Sequence, residues 1–95
     1  MTAYWISTYL EVHDEEKLKA YATLAGPALQ EAGGTFLARG LPEKTYEAAV
    51  QQRTVLIQFD SVEAAVAAHD GEPYQEALAV LGDGVTRDIR IVPGV

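Results

Sequence analysis

Residues 33–40 read GGTFLARG, and this stretch decides the predicted fold. The glycine pair ends an amphipathic helix, because only glycine enters the left-handed cap conformation without steric cost. Strand-like residues follow from Thr35 to Arg39, and Gly40 closes the stretch. A helix that passes at once into a strand favours a fold in which helices and antiparallel strands alternate. The same stretch isolates one cation, Arg39, in an acidic chain.

The segments before this stretch extend the alternation. Residues 3–12 are rich in β-branched and aromatic side chains and predict a first strand. Asp14 is placed to cap the helix that follows, whose apolar residues recur at three- and four-residue steps as an amphipathic stripe. Pro27 lies inside that stripe and predicts a kink or a break, because proline removes a backbone donor.

The segments after it complete the order. Residues 41–52 are polar and mixed, which fits either a loop or a β-arm, and residues 53–59 give the strongest strand signal. Ser61 caps a helix, Pro73 opens a second short one, and residues 86–92 form the last strand. The order β-α-β-β-α-β predicts a single α+β domain over residues 1–95 with the ferredoxin-like arrangement, an antiparallel sheet with helices on one face.

Composition and charge limit the partners. The chain has 95 residues, 48% of them hydrophobic, and 7 basic against 14 acidic side chains give a net charge of −7. Scattered cations among more numerous acids argue against nucleic acid and anionic membranes as partners. Cysteine is absent, so no disulfide or thiol nucleophile is expected. Without a signal-peptide pattern or a long apolar run, we expect a cytoplasmic protein.

The first strand is apolar on both faces, which has a consequence for assembly. Because strand side chains alternate, the large side chains divide between the two faces. One face carries Tyr4, Ile6 and Leu10, and the other face carries Trp5 and Tyr9. Helices cover only one face of a ferredoxin-like sheet. An exposed patch of this size is unusual for a monomer, so we expect a homodimer formed through the open sheet face.

The whole chain resembles an uncharacterised family, domain of unknown function 1330, within the dimeric α/β-barrel superfamily. The residues that carry the resemblance are Tyr4-Trp5, Tyr21, Gly33-Gly34, Phe36-Leu37-x-Arg39-Gly40, Val55-Leu56-Ile57-x-Phe59, Ser61, Pro73-Tyr74-Gln75-x-Ala77 and Ile89-x-Ile91-Val92. The middle arm departs from it, since Glu47-Ala48-Ala49 replaces the expected Glu-Gly turn. The resemblance implies a dimer with facing sheets and a cleft beside each sheet, and it implies no reaction. Superfamily relatives include cofactor-independent monooxygenases, haem-dependent enzymes and isomerases.

Two residues are candidates for catalysis. Arg39, at a strand end beside glycine, could grip a carboxylate or enolate, or else pair with a local acid or carbonyl. His69 could act as a general base, or else interact with the last carbonyls of its helix. Two histidines and no cysteine, without a His-x-x-x-His spacing, leave no ligand cluster, so we predict no metal site and no cofactor.

Three aromatic residues are candidates for a ligand pocket. Tyr21, Tyr74 and Trp5 could line an apolar pocket with polar handles, but they suit a core or a dimer interface equally well. Two functions therefore remain open. One is binding or conversion of a small, partly apolar carboxylate or enol, with cofactor-independent oxygenase- or isomerase-like chemistry if it is an enzyme; the other is a non-catalytic dimerisation module.

Overall fold

The computed structural model describes residues 1–95, which form four strands and three helices. The elements are β1 (Ala3–Val12), α1 (Glu15–Glu31), β2 (Thr35–Gly40), β3 (Thr54–Phe59), α2 (Val62–Asp70), α3 (Glu72–Leu81) and β4 (Val85–Pro93). The strands make one antiparallel sheet in the order β2-β3-β1-β4. The predicted ferredoxin-like α+β fold is confirmed, with its second helical segment divided into α2 and α3.

Side chains at the helix starts cap the backbone as predicted. The Asp14 carboxylate accepts hydrogen bonds from the backbone N–H groups of Glu16 and Lys17 at 3.0 and 3.1 Å. The Ser61 hydroxyl accepts one from Ala64 N–H at 3.0 Å. Each cap satisfies donors that the first helical turn leaves unpaired.

Two local expectations need refinement. Helix α1 runs through Pro27 without a break, so the predicted break is wrong. Residues 41–53 contain no strand, which leaves the loop as the correct alternative for the arm.

At the end of α1, Gly33 has a φ of +102°, and a Cβ on Gly34 would lie 2.8 Å from Cζ of Phe59. Glycine therefore lets the helix end close against β3.

The two faces of β1 separate as the alternation predicts. Trp5, Ser7 and Tyr9 are buried against the helices, whereas Tyr4 and Ile6 are half-buried and Leu10 is exposed on the open face. The core lies between sheet and helices, and Trp5 is its largest fully buried side chain, 1% exposed. None of the three helices has the length and apolarity needed to cross a bilayer.

Candidate functional site

A row of polar side chains crosses the helix-covered face at one end of the sheet. Tyr9 of β1 pairs with Arg87 of β4, and its backbone N–H donates to the carbonyl of Arg53, just before β3, at 3.0 Å. Arg87 has the phase of Ile89 and Ile91, so strand alternation directs it toward the helices. Three neighbouring strands thus bring Arg53, Tyr9 and Arg87 together beneath α1.

The guanidinium of Arg87 joins four elements of the fold. Its Nη1 donates to the hydroxyls of Tyr9 at 2.8 Å and Tyr21 at 3.2 Å, and its Nη2 donates to the hydroxyl of Tyr74 at 3.2 Å. The hydroxyls of Tyr21 and Tyr74 are 2.7 Å apart and share a further hydrogen bond. We call these four residues the Arg87–tyrosine cluster; it ties β1, α1, α3 and β4 together.

Burial fixes the charges in this cluster. It raises the pKa of Tyr9, and it raises the pKa of Tyr74 further, because a phenolate loses its hydration there. Burial works against the charge of Arg87, but the facing phenol oxygens of Tyr21, Tyr74 and Tyr9 raise the pKa of that guanidinium above its usual range. At neutral pH Tyr9 and Tyr74 are therefore neutral and Arg87 is a permanent cation.

No carboxylate neutralises the arginines on this side of the sheet. Among the four arginines of the chain only Arg90 has a carboxylate within 4.0 Å, that of Asp88 at 3.4 Å. Arg39, Arg53 and Arg87 form no ion pair, although acids outnumber bases two to one. The Nε of Arg53 is also buried without a hydrogen-bond partner. Such an unmet donor is uncommon in folded proteins.

These three arginines line one narrow cleft between α1 and the sheet. Its cavity volume is about 30 Å³, enough for a water molecule or a group of similar size. Helix α1 contributes small residues there, namely Ala22, Ala25 and Gly26, and the remaining wall is mainly apolar. The cleft is therefore an apolar slot with cationic and hydroxyl groups along one side.

Three of the predicted site residues line this cleft and a fourth contacts it. Arg39 lies at its edge, with its guanidinium carbon 5.0 Å from the centre of the Phe36 ring. Trp5 and Tyr21 line the cleft, and the indole N–H of Trp5 donates to the hydroxyl of Ser7 at 2.8 Å. Tyr74 reaches it through its hydrogen bonds to Tyr21 and Arg87.

His69 lies elsewhere. Its ring centre is 5.7 Å from that of Trp5 and 5.3 Å from that of Tyr74, and its Nδ1 is 2.9 Å from the carboxylate of Asp70. It faces a separate surface depression with Ile89 and Ile91. The structure does not bring His69 and Arg39 to a common site.

Arg53 and Arg87 are the residues that sequence reasoning missed. Arg53, just before β3, has the phase of the buried Val55 and Ile57, and Arg87 has the phase of the half-buried Ile89 and Ile91. An arginine at a core-facing position was the available signal, because a buried cation needs a partner. No group of three or more histidine, aspartate or glutamate side chains is placed to hold a metal ion.

Fold and cleft together define a small ferredoxin-like domain with an arginine-lined slot beside its sheet. The sequence model of the family described as "Domain of unknown function (DUF1330)" matches residues 2–95, and the chain belongs to that family. No curated protein matches it.

Solved structures show the same fold at low identity. A protein of unknown function from Rhodopseudomonas palustris is 16% identical, with a TM-score of 0.76 over 99% of this chain and 82% of that one. SnoaB, a cofactor-independent oxygenase from Streptomyces nogalater, is 10% identical, with a TM-score of 0.67 over 99% and 93%. A dimeric ferredoxin-like protein of unknown function from Thermobifida fusca is 15% identical, with a TM-score of 0.61 over 99% and 92%. Identities this low bear on the fold alone.

Proposed function

We propose that this protein binds a small, partly apolar molecule bearing a carboxylate or enol in the cleft between α1 and the sheet. The observation that carries the proposal is the convergence of Arg39, Arg53 and Arg87 on one apolar slot without any carboxylate partner. Arg53 and Arg87 are half-buried and Arg39 is exposed. A cation that loses part of its hydration without a counterion costs free energy, and a ligand that brings the negative charge offsets that cost. The acidic surface elsewhere makes this accumulation of positive charge more distinctive.

We propose further that the protein acts as a homodimer through its open sheet face. That face presents Tyr4, Ile6 and Leu10 beside a groove of about 510 Å³, which the arm at residues 42–50 helps to form. A dimeric protein of the same fold supports this assembly. A facing sheet from a second copy would remove these apolar side chains from water.

If the bound molecule is converted, we propose a cofactor-independent reaction of the oxygenase or isomerase kind. A cofactor-independent oxygenase shares the fold, and the hydrogen-bond donors of the cleft suit stabilisation of a developing oxyanion. We propose Arg39 as the residue that acts on the ligand, and Trp5, Tyr21 and Tyr74 as residues that bind it. For His69 the geometry supports only a role at its own depression, away from this cleft.

The experiment is a binding measurement with a matched charge control. Native mass spectrometry of the protein as purified looks for a bound small mass, and calorimetry then measures the affinity for benzoate and short aliphatic carboxylates. We expect Arg53→Met to weaken carboxylate binding at least about tenfold, the effect of losing one charged hydrogen bond. Lys19→Met removes an exposed positive charge from the outer surface of α1 and should leave the affinity unchanged.

A non-catalytic dimerisation module is the second candidate, and the narrowness of the cleft favours it. A volume of about 30 Å³ admits a head group but no larger molecule unless the walls move. If the protein is only a dimerisation module, no carboxylate should bind. Arg53→Met and Arg87→Met should then change only the stability of the protein. The same calorimetric and unfolding measurements therefore separate the two candidates.

A further inference from the structure

A second groove lies on the outer surface of the helical layer, between α1 and α3. Leu24, Ala28 and Ala32 line it at four-residue intervals along α1 and its cap, together with Pro27, and Pro73 lines it at the start of α3. Its cavity volume is about 450 Å³, and it shares no lining residue with the cleft described above. Because the helices cover one face of the sheet, a dimer formed through the open face leaves this groove accessible.

Acceptor groups flank the groove, and no cation lines it. The exposed carboxylates of Glu31 and Glu76 lie on its walls, and neither forms an ion pair. Glu31 is in the last turn of α1, where the helix dipole is negative and no basic residue offsets it. Pro27 has no N–H, so the carbonyl of Thr23 beside it lacks the donor that a regular helix supplies four residues later. A cationic donor from another molecule is therefore favoured at this groove.

The helical layer is acidic well beyond these two carboxylates. Residues 20–38 and 54–86, which include α2, α3 and most of α1, contain seven of the fourteen acids and none of the seven lysines and arginines. Anionic lipid, nucleic acid and the helical layer of a second copy would all bring like charge to this surface. A positively charged partner is the occupant that the surface complements.

We propose that the groove between α1 and α3 is a docking site for a basic amphipathic helix of a partner protein. The apolar stripe of that helix lies on Leu24 and Ala28, and its lysine or arginine side chains face Glu31 and Glu76. A groove between two neighbouring helices suits a third helix, and small side chains such as Ala28 and Ala32 allow a close approach.

The size of the groove defines the kind of complex. It follows α1 over residues 24–32, which corresponds to about 12 Å of helix. Such a short contact buries less area than a stable interface, and ion pairs at an exposed rim contribute little each. The complex is therefore weak and transient, and it weakens further as salt screens the charges.

The test uses three synthetic helical peptides that differ in one property each. The first carries a leucine stripe and a lysine face, the second replaces lysine by glutamate, and the third replaces leucine by serine. Fluorescence anisotropy at low salt measures their affinities for the whole protein. We expect the leucine–lysine peptide to bind at least about tenfold more tightly than either of the others, because it alone supplies both the apolar area and the opposite charge. Its binding should slow amide hydrogen exchange in residues 24–32 and 72–77.

Two pairs of variants locate the contact, all at exposed positions. Glu31→Gln combined with Glu76→Gln should weaken the leucine–lysine peptide about fivefold, as the loss of two exposed ion pairs allows. Glu43→Gln combined with Glu47→Gln changes the net charge equally but lies in the arm, and should change the affinity by less than about twofold. Leu24→Asn should weaken the peptide about tenfold through lost apolar contact, whereas Val66→Asn on α2 should not.

Several results would overturn the proposal. They are equal affinity for the lysine and glutamate peptides, equal losses in the two double variants, and slowed exchange confined to β1 and the arm, which would place the peptide on the open face. Hexylamine serves as a small cationic probe; if it slows exchange in the same residues and the peptide binds no more tightly, the groove takes a small amine instead. Dissociation of the protein dimer by Leu24→Asn would show that a second copy occupies the groove. None of these results bears on carboxylate binding in the cleft, so the two proposals fail separately.

Discussion

The two faces of the sheet give arginine side chains different partners, although Arg87 and Arg90 both come from β4. On the open face Arg90 is exposed and pairs with Asp88, whose carboxylate also accepts from the hydroxyl of Thr8 at 2.9 Å. On the covered face Arg87 has three phenol oxygens and no carboxylate. Solvent already stabilises the exposed cation, so its acid adds little. Arg87 is half-buried, so it has less solvent to stabilise its charge, and it has no acid.

This difference bears on the proposed binding site at the covered face. Phenol oxygens satisfy the hydrogen bonds of Arg87 and hold its pKa above the usual range, but at neutral pH they bring no negative charge. Hydrophobic replacement of a buried ionic group is often neutral or stabilising. An uncompensated charge beside an apolar slot is the condition under which an anionic ligand gains most. This condition supports the two proposals, a binding site on the covered face beside the core and assembly through the open face.

The largest effect should come from the core beside the cleft. Trp5→Ala removes a side chain that is 1% exposed, and we expect the free energy of unfolding to fall by about 3–5 kcal/mol in urea titrations at fixed protein concentration. Leu41→Ala, at a position 66% exposed, should change it by less than about 0.5 kcal/mol. A loss of similar size in both variants would mean that the covered face is not the core.

The open face should respond through assembly. Ile6→Glu places a carboxylate in the middle of the apolar face, and we expect the dimer dissociation constant to rise at least about 100-fold, because a charge in an apolar interface loses its hydration. Analytical ultracentrifugation over a range of concentrations measures it. Leu24→Glu, on an exposed position of α1, serves as the control. If the unchanged protein sediments as a monomer throughout, assembly through this face is wrong.

Alkaline pH should separate the buried tyrosines from the exposed one. Folding raises the pKa of Tyr9 and of Tyr74, so the unfolded chain loses these protons first. Stability is then complete below about pH 10, and above it falls by up to about 1.4 kcal/mol per pH unit for each group. Tyr74→Phe should make the decline shallower in urea titrations, whereas Tyr46→Phe, at a position 72% exposed, should not. An identical decline in both variants would contradict the burial argument.

The sequence specified the fold because its signals are local. Caps at Asp14 and Ser61 and the glycines at 33 and 34 fix where helices begin and end, and alternation in β1 divides its two faces. The cleft depends on cross-strand neighbours far apart in the chain, such as Tyr9 and Arg87. Nothing local to Arg87 says that three phenols will meet it. Its core-facing phase could have marked it as unusual, but its partners required the strand order and register.

The smallest expected effect is in the arm at residues 42–50. This segment belongs to the open face, because it lines the groove beside Ile6 and Leu10. Glu47 has a φ of +55° in a turn closed by the N–H of Ala49 donating to the carbonyl of Tyr46 at 3.1 Å. Glycine adopts this conformation without the steric cost that a Cβ adds. We expect Glu47→Gly to raise the free energy of unfolding by up to about 1 kcal/mol, and Ala48→Gly next to it, where φ is negative, to lower it by about 0.5–1 kcal/mol. Equal losses of unfolding free energy in both variants would show that the turn does not hold this conformation. The arm would then not form a fixed wall of the groove on the open face.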